Sequence, residues 1–318
     1  MRRLGVSAAV VVAALAATAG SAQAAQLIAR NATGVSIRTN ARGEALVTYR
    51  MNGRVHRTLV WGAINARFPS RGQRQVEFRV DYSGGWRTHR STTFAGSCGR
   101  YDGPAIPNLV AACKAPDGSY WAAQSWGRPL PNLGFTPWTG GLRQKWLEVS
   151  HWTGELPQLE LHMGWVWSNR FQQLFGRYTY RGKPVYGYGT TRYGAPTDGF
   201  GRLIYLDTFN SAYGAGWKRE NSFVPHNPTG AFCYGFYSFD PTKGGYKHPP
   251  GATAKRGPGT GEQYRVTASG AGVLPNVAAT IGGLHAFNPE RADDVALATA
   301  AANLLRSFGD RSCLAGLR

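Results

Sequence analysis

The chain has 318 residues, with 36 Lys and Arg against 17 Asp and Glu, for a formal net charge of +19. Aromatic residues reach 12%, too many for a disordered tail, and 42 Gly with 18 Pro stay below the ~25–30% of low-complexity chains. Charged residues make up only 17% against a usual ~25%, which argues against a coiled coil; the length admits one large domain or two ordinary ones.

Residues 1–24 read as a secretory signal. Arg2 and Arg3 precede an apolar Ala/Val-rich run from Leu4 to Ala17, and Ala22-Gln23-Ala24 offers the small-x-small site of a signal peptidase. The run is shorter than the ~20 residues of a spanning helix, so cleavage near Ala24 is expected. No later segment reaches ~18 apolar residues, so no transmembrane segment is expected in the mature chain. The Ala-rich core of the leader and the excess of Arg over Lys suggest a bacterial source.

From residue 25 to 95 the pattern is strand and tight turn, rich in Arg. Val35–Arg38, Ala45–Arg50 and Arg54–Trp61 alternate, and Asn52-Gly53 is a strong short hairpin signal. Gln75–Tyr82 puts Val76, Phe78, Val80 and Tyr82 on one face. Residues 25–100 carry 13 Arg, no Lys and three acids. Such a field attracts polyanions, and envelope or extracellular glycans and anionic cell-envelope polymers are the expected partners. Phosphate contacts need only cations, but no motif supports nucleic acid.

From 96 to 318 the chain is a Trp/Tyr/Gly-rich β region; it reads as a second domain or as a continuation of the first. Turns at Pro116-Asp117-Gly118 and Gly182-Lys183 separate strand-like runs, and Pro241 to Gly261 reads as a long loop. One helix is expected, over 289–308. Asn288 serves as its cap, Pro289 takes its first position, and Val295, Leu297, Ala298, Ala301, Ala302, Leu304, Leu305 and Phe308 form a buried stripe stopped by Gly309. The fold class is therefore mainly β: antiparallel meander or sandwich-like sheets with one C-terminal α-helix packed on a sheet. Four cysteines in an exported chain should pair, and the favoured pairing is Cys98 with Cys113 and Cys233 with Cys313.

Nucleophile-elbow, P-loop, zincin and EF-hand motifs are all missing, and no cofactor or metal is expected. The most informative constellation is a hairpin over 146–167. With Trp152 opposite Gln158, Ser150 faces Glu160 and Glu148 faces His162. Trp146, Glu148, Ser150, Trp152, Glu160 and His162 then share one outer face, with the two carboxyls ~7–8 Å apart at Cβ. That spacing suits glycoside hydrolysis, in which one carboxyl protonates the leaving oxygen and the other attacks the sugar or activates water. Seven of the ten tryptophans fall between residues 121 and 167, and Trp126 and Trp138 in a Pro/Gly-rich stretch join Trp146 and Trp152 as candidate sugar platforms. Two further readings stay open beside a glycan-binding protein. One is a secreted glycosidase using Glu148 and Glu160; the other is a structural or interaction protein with no small-molecule site.

Overall fold

The structure, a computed structural model, describes residues 25–86, 94, 98–127, 145–190, 196–198, 206–209, 219–223, 225–236, 263–283 and 285–317. The leader, Trp138 and the 241–261 loop lie outside the described residues.

In chain order the first strands are β1 (Gln26–Arg30), β2 (Thr33–Thr39), β3 (Ala45–Met51), β4 (Arg54–Gly62) and β5 (Phe78–Asp81). Next come β6 (Leu109–Lys114), β7 (Tyr120–Gly127), β8 (Lys145–Trp152), β9 (Gln158–Leu159), β10 (His162–Val166), β11 (Phe171–Tyr180) and β12 (Lys183–Pro184). The later strands are β13 (Gly187–Thr190), β14 (Pro196–Asp198), β15 (Leu206–Phe209), β16 (Arg219–Phe223), β17 (Ala231–Phe236), β18 (Gln263–Ala268) and β19 (Val277–Gly282). Helix α1 (Ala292–Phe308) and the short α2 (Arg311–Leu314) close the chain. The protein is mainly β, and among the described residues every strand pairing is antiparallel, as its alternation predicts. Among the described residues no helix is long and apolar enough to cross a membrane.

Turn chemistry fixes the local pairings. Asn52 and Gly53 both adopt positive φ, the requirement of a two-residue hairpin turn whose twist matches its strands. Arg181 and Gly182 do the same between β11 and β12. The expected strand at 75–82 is shorter, Phe78–Asp81, because Asp81 ends it: its carboxylate accepts the backbone N–H of Ser83 at 2.8 Å and of Gly85 at 3.1 Å.

The sheets stack in layers. One sheet runs β2-β3-β4-β5, and a second runs β1-β8-β7-β6. Ile37, Val47, Tyr49 and Val60 of the first pack on Trp121, Ala123, Leu147 and Val149 of the second. The opposite face of the second sheet is buried too: Ala122 and Trp152 pack with Leu174, Tyr178, Val266, Ala268 and Leu274 of the C-terminal half. That half contains β10, β11 and β17 side by side, with β9 and β12 pairing the far end of β11, and a sheet ordered β16-β15-β18-β19.

Helix α1 packs its Ala301, Leu305 and Phe308 stripe on Phe175 and Ala231, and a Cβ on Gly164 of β10 would sit 2.7 Å from the Ala301 methyl. It begins later than the sequence suggests. Asn288 caps a separate turn, its Oδ1 accepting Glu290 N–H at 2.9 Å, and the helix starts after Arg291. Val295 and Leu297 lie off the buried stripe at 46% and 37% exposure, and Gly309 ends the helix at φ 68°. Both expected disulfides are present, Cys98–Cys113 and Cys233–Cys313.

Candidate functional site

The hairpin expected at 146–167 does not form. Strand β8 pairs on one side with β7, Glu148 opposite Gln124, and on the other with β1, Glu148 opposite Leu27. Strands β9 and β10 pair instead with β11. Glu148 therefore sits within the second sheet and Glu160 in the link between β9 and β10, so the two do not project together from one ribbon. The shared face of Trp146, Glu148, Ser150 and Trp152 is real, as period two demands, but it is an interlayer face rather than a wet one.

Glu148 is 2% exposed and accepts Asn276 Nδ2–H at 2.8 Å. Asn276 holds Gln124 through both backbone groups: its N–H donates to Oε1 at 2.9 Å and its C=O accepts from Nε2 at 3.0 Å. Gly270 N–H donates to Asn276 Oδ1 at 3.1 Å. This buried polar lattice ties the middle sheet to the turn before β19. Trp152 is fully buried against Tyr101 and Tyr120, and Trp126 is buried beside its cross-strand neighbour Trp146. Trp146 is half-buried, with the Arg30 guanidinium 5.9 Å from its ring centroid. Glu160 is exposed and lies 3.7 Å from His162 Nε2, while His162 rests against Phe175 and Phe308. The carboxylates thus sit in a structural lattice and a surface pair, respectively.

Three histidine clusters escape a strand-by-strand reading because each joins distant segments. His151 is buried against Trp121 at a ring separation of 4.0 Å, with Nδ1 2.8 Å from Gly62 O and Nε2 2.8 Å from Ser119 Oγ. Burial holds its pKa below the ordinary value, against the raising effects of Gly62 and Asp117. His285 lies between Gly283 O and the Asp294 carboxylate, whose hydrogen bond raises its pKa. His226 bonds Asp310 beside the Cys233–Cys313 disulfide. Burial would push the Asp310 carboxyl up, but hydrogen bonds from Cys313 N–H, His226 and Thr229 together hold it below the usual range.

The exposed face of β2-β3-β4-β5 gathers what the basic composition only hints at. Register sets Ser36 beside Thr48 beside Arg57, Arg38 beside Leu46 and Leu59, Arg50 beside Val55, and Trp61 beside Arg79. Since Ile37, Val47 and Val60 point inward, Arg38, Arg50, Arg57 and Arg79 all stand on the outer face, and all are exposed. Phe94 covers Leu46, Leu59 and Trp61 at the centre. Among the described residues no carboxylate pairs with any of these four arginines. Arg50 and Arg57 are diagonal neighbours roughly 7 Å apart. At the end of β5 the Asp81–Trp86 turn folds against Arg57, a Cβ on Gly84 meeting its Cβ at 2.9 Å. Tyr82 and Trp86 stand out from that turn at 62% and 85% exposure.

A shallow cleft of about 590 Å³ opens beside the same sheet, lined by Asn31, Thr33, Gly34, Val110 and Lys145. Neither Glu148 nor Glu160 reaches it. No family model matches the chain, and neither a curated protein nor a solved structure does.

Proposed function

We propose that the protein is an exported, disulfide-bonded binding protein for anionic glycans or related envelope polymers, which it holds on the outer face of the β2–β5 sheet. The observation that carries this reading is that Arg38, Arg50, Arg57 and Arg79 stand on one exposed surface, where among the described residues no carboxylate pairs with them. Guanidinium forks match carboxylate and sulfate groups bidentately. A spacing of roughly 7 Å between Arg50 and Arg57 lies within the ~8 Å Debye length of physiological salt, so their fields add. The exposed Trp86 offers a flat apolar face on which a sugar ring can stack. The leader-like residues 1–24 and the two disulfides support export.

Retention on immobilised dextran sulfate, with uncharged dextran as control, tests the reading. An exposed ion pair contributes ~0.2–1 kcal/mol. Changing Arg38, Arg50 and Arg57 together to Gln should therefore weaken binding by about 3-fold to about 150-fold. Wild-type protein should elute at higher salt than this triple variant and should pass through uncharged dextran. Equal elution of variant and wild type, or equal retention on the two resins, would overturn the reading.

A further inference from the structure

The C-terminal disulfide has more around it than a cross-link requires. Cys233 stands on β17 and Cys313 on α2. Nδ1 of His226 lies 3.8 Å from Cys313 Sγ and 2.8 Å from Asp310 Oδ1. The same carboxylate accepts the Cys313 N–H at 2.9 Å on Oδ1 and the Thr229 hydroxyl at 2.9 Å on Oδ2. The imidazole nitrogen and the two sulfurs all lie within 4.8 Å of one another. Cys313 and Asp310 are buried, while His226 and Cys233 are partly exposed, which leaves a route in from solvent.

We propose that the reduced Cys233/Cys313 pair forms a zinc site with His226 and Asp310, so that the C-terminal segment is closed either by a disulfide or by a metal ion. Two thiolates, an imidazole and a carboxylate form a donor set that zinc takes. Tetrahedral zinc, with bonds of ~2.0–2.1 Å to nitrogen and ~2.3 Å to sulfur, separates those two atoms by about 3.6 Å. The His226–Cys313 separation of 3.8 Å already suits this. The two sulfurs must part to about 3.8 Å, which thiol side-chain rotation supplies once the bond between them is gone. Thr229, bonded to the free oxygen of the carboxylate, orients it as outer-sphere partners of metal ligands do.

The switch balances with a dithiol as reductant. One thiolate of the dithiol attacks Sγ of the more accessible Cys233; the Cys233–Cys313 bond breaks, and Cys313 leaves as a thiolate. The second thiol of the reductant attacks the mixed disulfide and frees Cys233. Two electrons pass to the protein, and the reductant ends as a cyclic disulfide. Zinc then binds both cysteines as thiolates and releases their remaining protons. The other pair serves as an internal control: among the described residues the only metal-type cluster of three ligands is the one containing Cys233 and Cys313.

The full chain is reduced with a phosphine under anaerobic conditions, exchanged into fresh buffer, and titrated with zinc against a chromophoric chelator. Cobalt(II) provides the spectrum. The expected result is one zinc per reduced chain and none per oxidised chain, with thiolate-to-cobalt charge transfer and intense tetrahedral d–d bands. Cys98→Ser/Cys113→Ser should keep the site. His226→Ala and Asp310→Ala should each lower affinity at least ~10-fold, and Thr229→Val by about 10-fold. No zinc on the reduced chain, or undiminished affinity in both His226→Ala and Asp310→Ala, overturns the proposal. If reduction alone unfolds the chain, zinc should restore its native circular dichroism, and failure to do so overturns the proposal equally.

Discussion

The contact between Glu148 and Asn276 can be inverted by substitution. Asn276→Asp replaces the Nδ2–H donor, 2.8 Å from Glu148 Oε2, with a carboxylate oxygen. The variant loses a hydrogen bond to a charged group worth ~1.5–3 kcal/mol and sets two buried carboxylates against each other. One of the two must then take up a proton to stay buried, since like charges this close cannot both ionise. A loss of about 4 kcal/mol near neutral pH follows, and uptake of one proton recovers ~1.4 kcal/mol for each pH unit of acidification. A chain of this size unfolds with roughly 0.7 kcal/mol/K of entropy, so Tm should fall by about 6 °C. Adding Glu148→Gln restores complementarity with the donor and acceptor exchanged, and should recover at least ~1 kcal/mol. Urea unfolding followed by tryptophan fluorescence across about pH 5–8 reads the wild type and both variants. The reasoning is refuted if Asn276→Asp costs less than about 1 kcal/mol at the alkaline end, or if the second substitution brings no recovery.

Other expectations rest on the helix and its approach. Both nitrogens of His285 face acceptors, Gly283 O and Asp294, so the pair is complete only when the ring is protonated. Its pKa is raised, chiefly by the Asp294 hydrogen bond; the stabilisation is full below the unfolded value near 6.5 and is lost as pH rises through the higher folded value. An NMR titration midpoint above ~6.5 is expected, and His285→Gln should remove this alkaline loss; a midpoint at or below ~6.5 contradicts it. Gly164→Ala would bring a methyl to 2.7 Å from Ala301 and push α1 outward, costing ~1–3 kcal/mol. Ala301→Gly in the same chain should offset part of that loss despite its helix cost of ~1 kcal/mol, and strict additivity of the two would count against direct contact.

Much of the architecture is legible because it is local. Asn52-Gly53 announces its hairpin, Gly182-Lys183 announces a turn that the fold places one residue earlier at Arg181-Gly182, and the Ala301, Leu305, Phe308 stripe with Gly309 announces the helix. The candidate site is not legible in this way. Alternation correctly puts Trp146, Glu148, Ser150 and Trp152 on one side of β8, but period two cannot say whether a polar side faces water or another layer. Here Asn276, 128 residues away, supplies the hydrogen bond that makes burial of Glu148 tolerable. The neighbours of β8 are nonlocal as well: proximity in sequence suggests β9, whereas the fold uses β7 and β1. The arginine surface was readable as composition, and only the registers of β2 through β5 turn it into four side chains on one plane.

The pairing of β1 with β8 has a consequence for the order in which the molecule assembles. Each strand from β2 to β5 finds its partner in the strand beside it in the chain, so that ribbon can close as soon as it emerges. Gln26–Arg30 cannot: its partner begins at Lys145, and until that segment arrives the earliest strand waits with an open edge. A strand that precedes the whole β2–β5 ribbon in the chain is therefore seated only after it, and a helper that shields a lone strand would act most usefully in that interval.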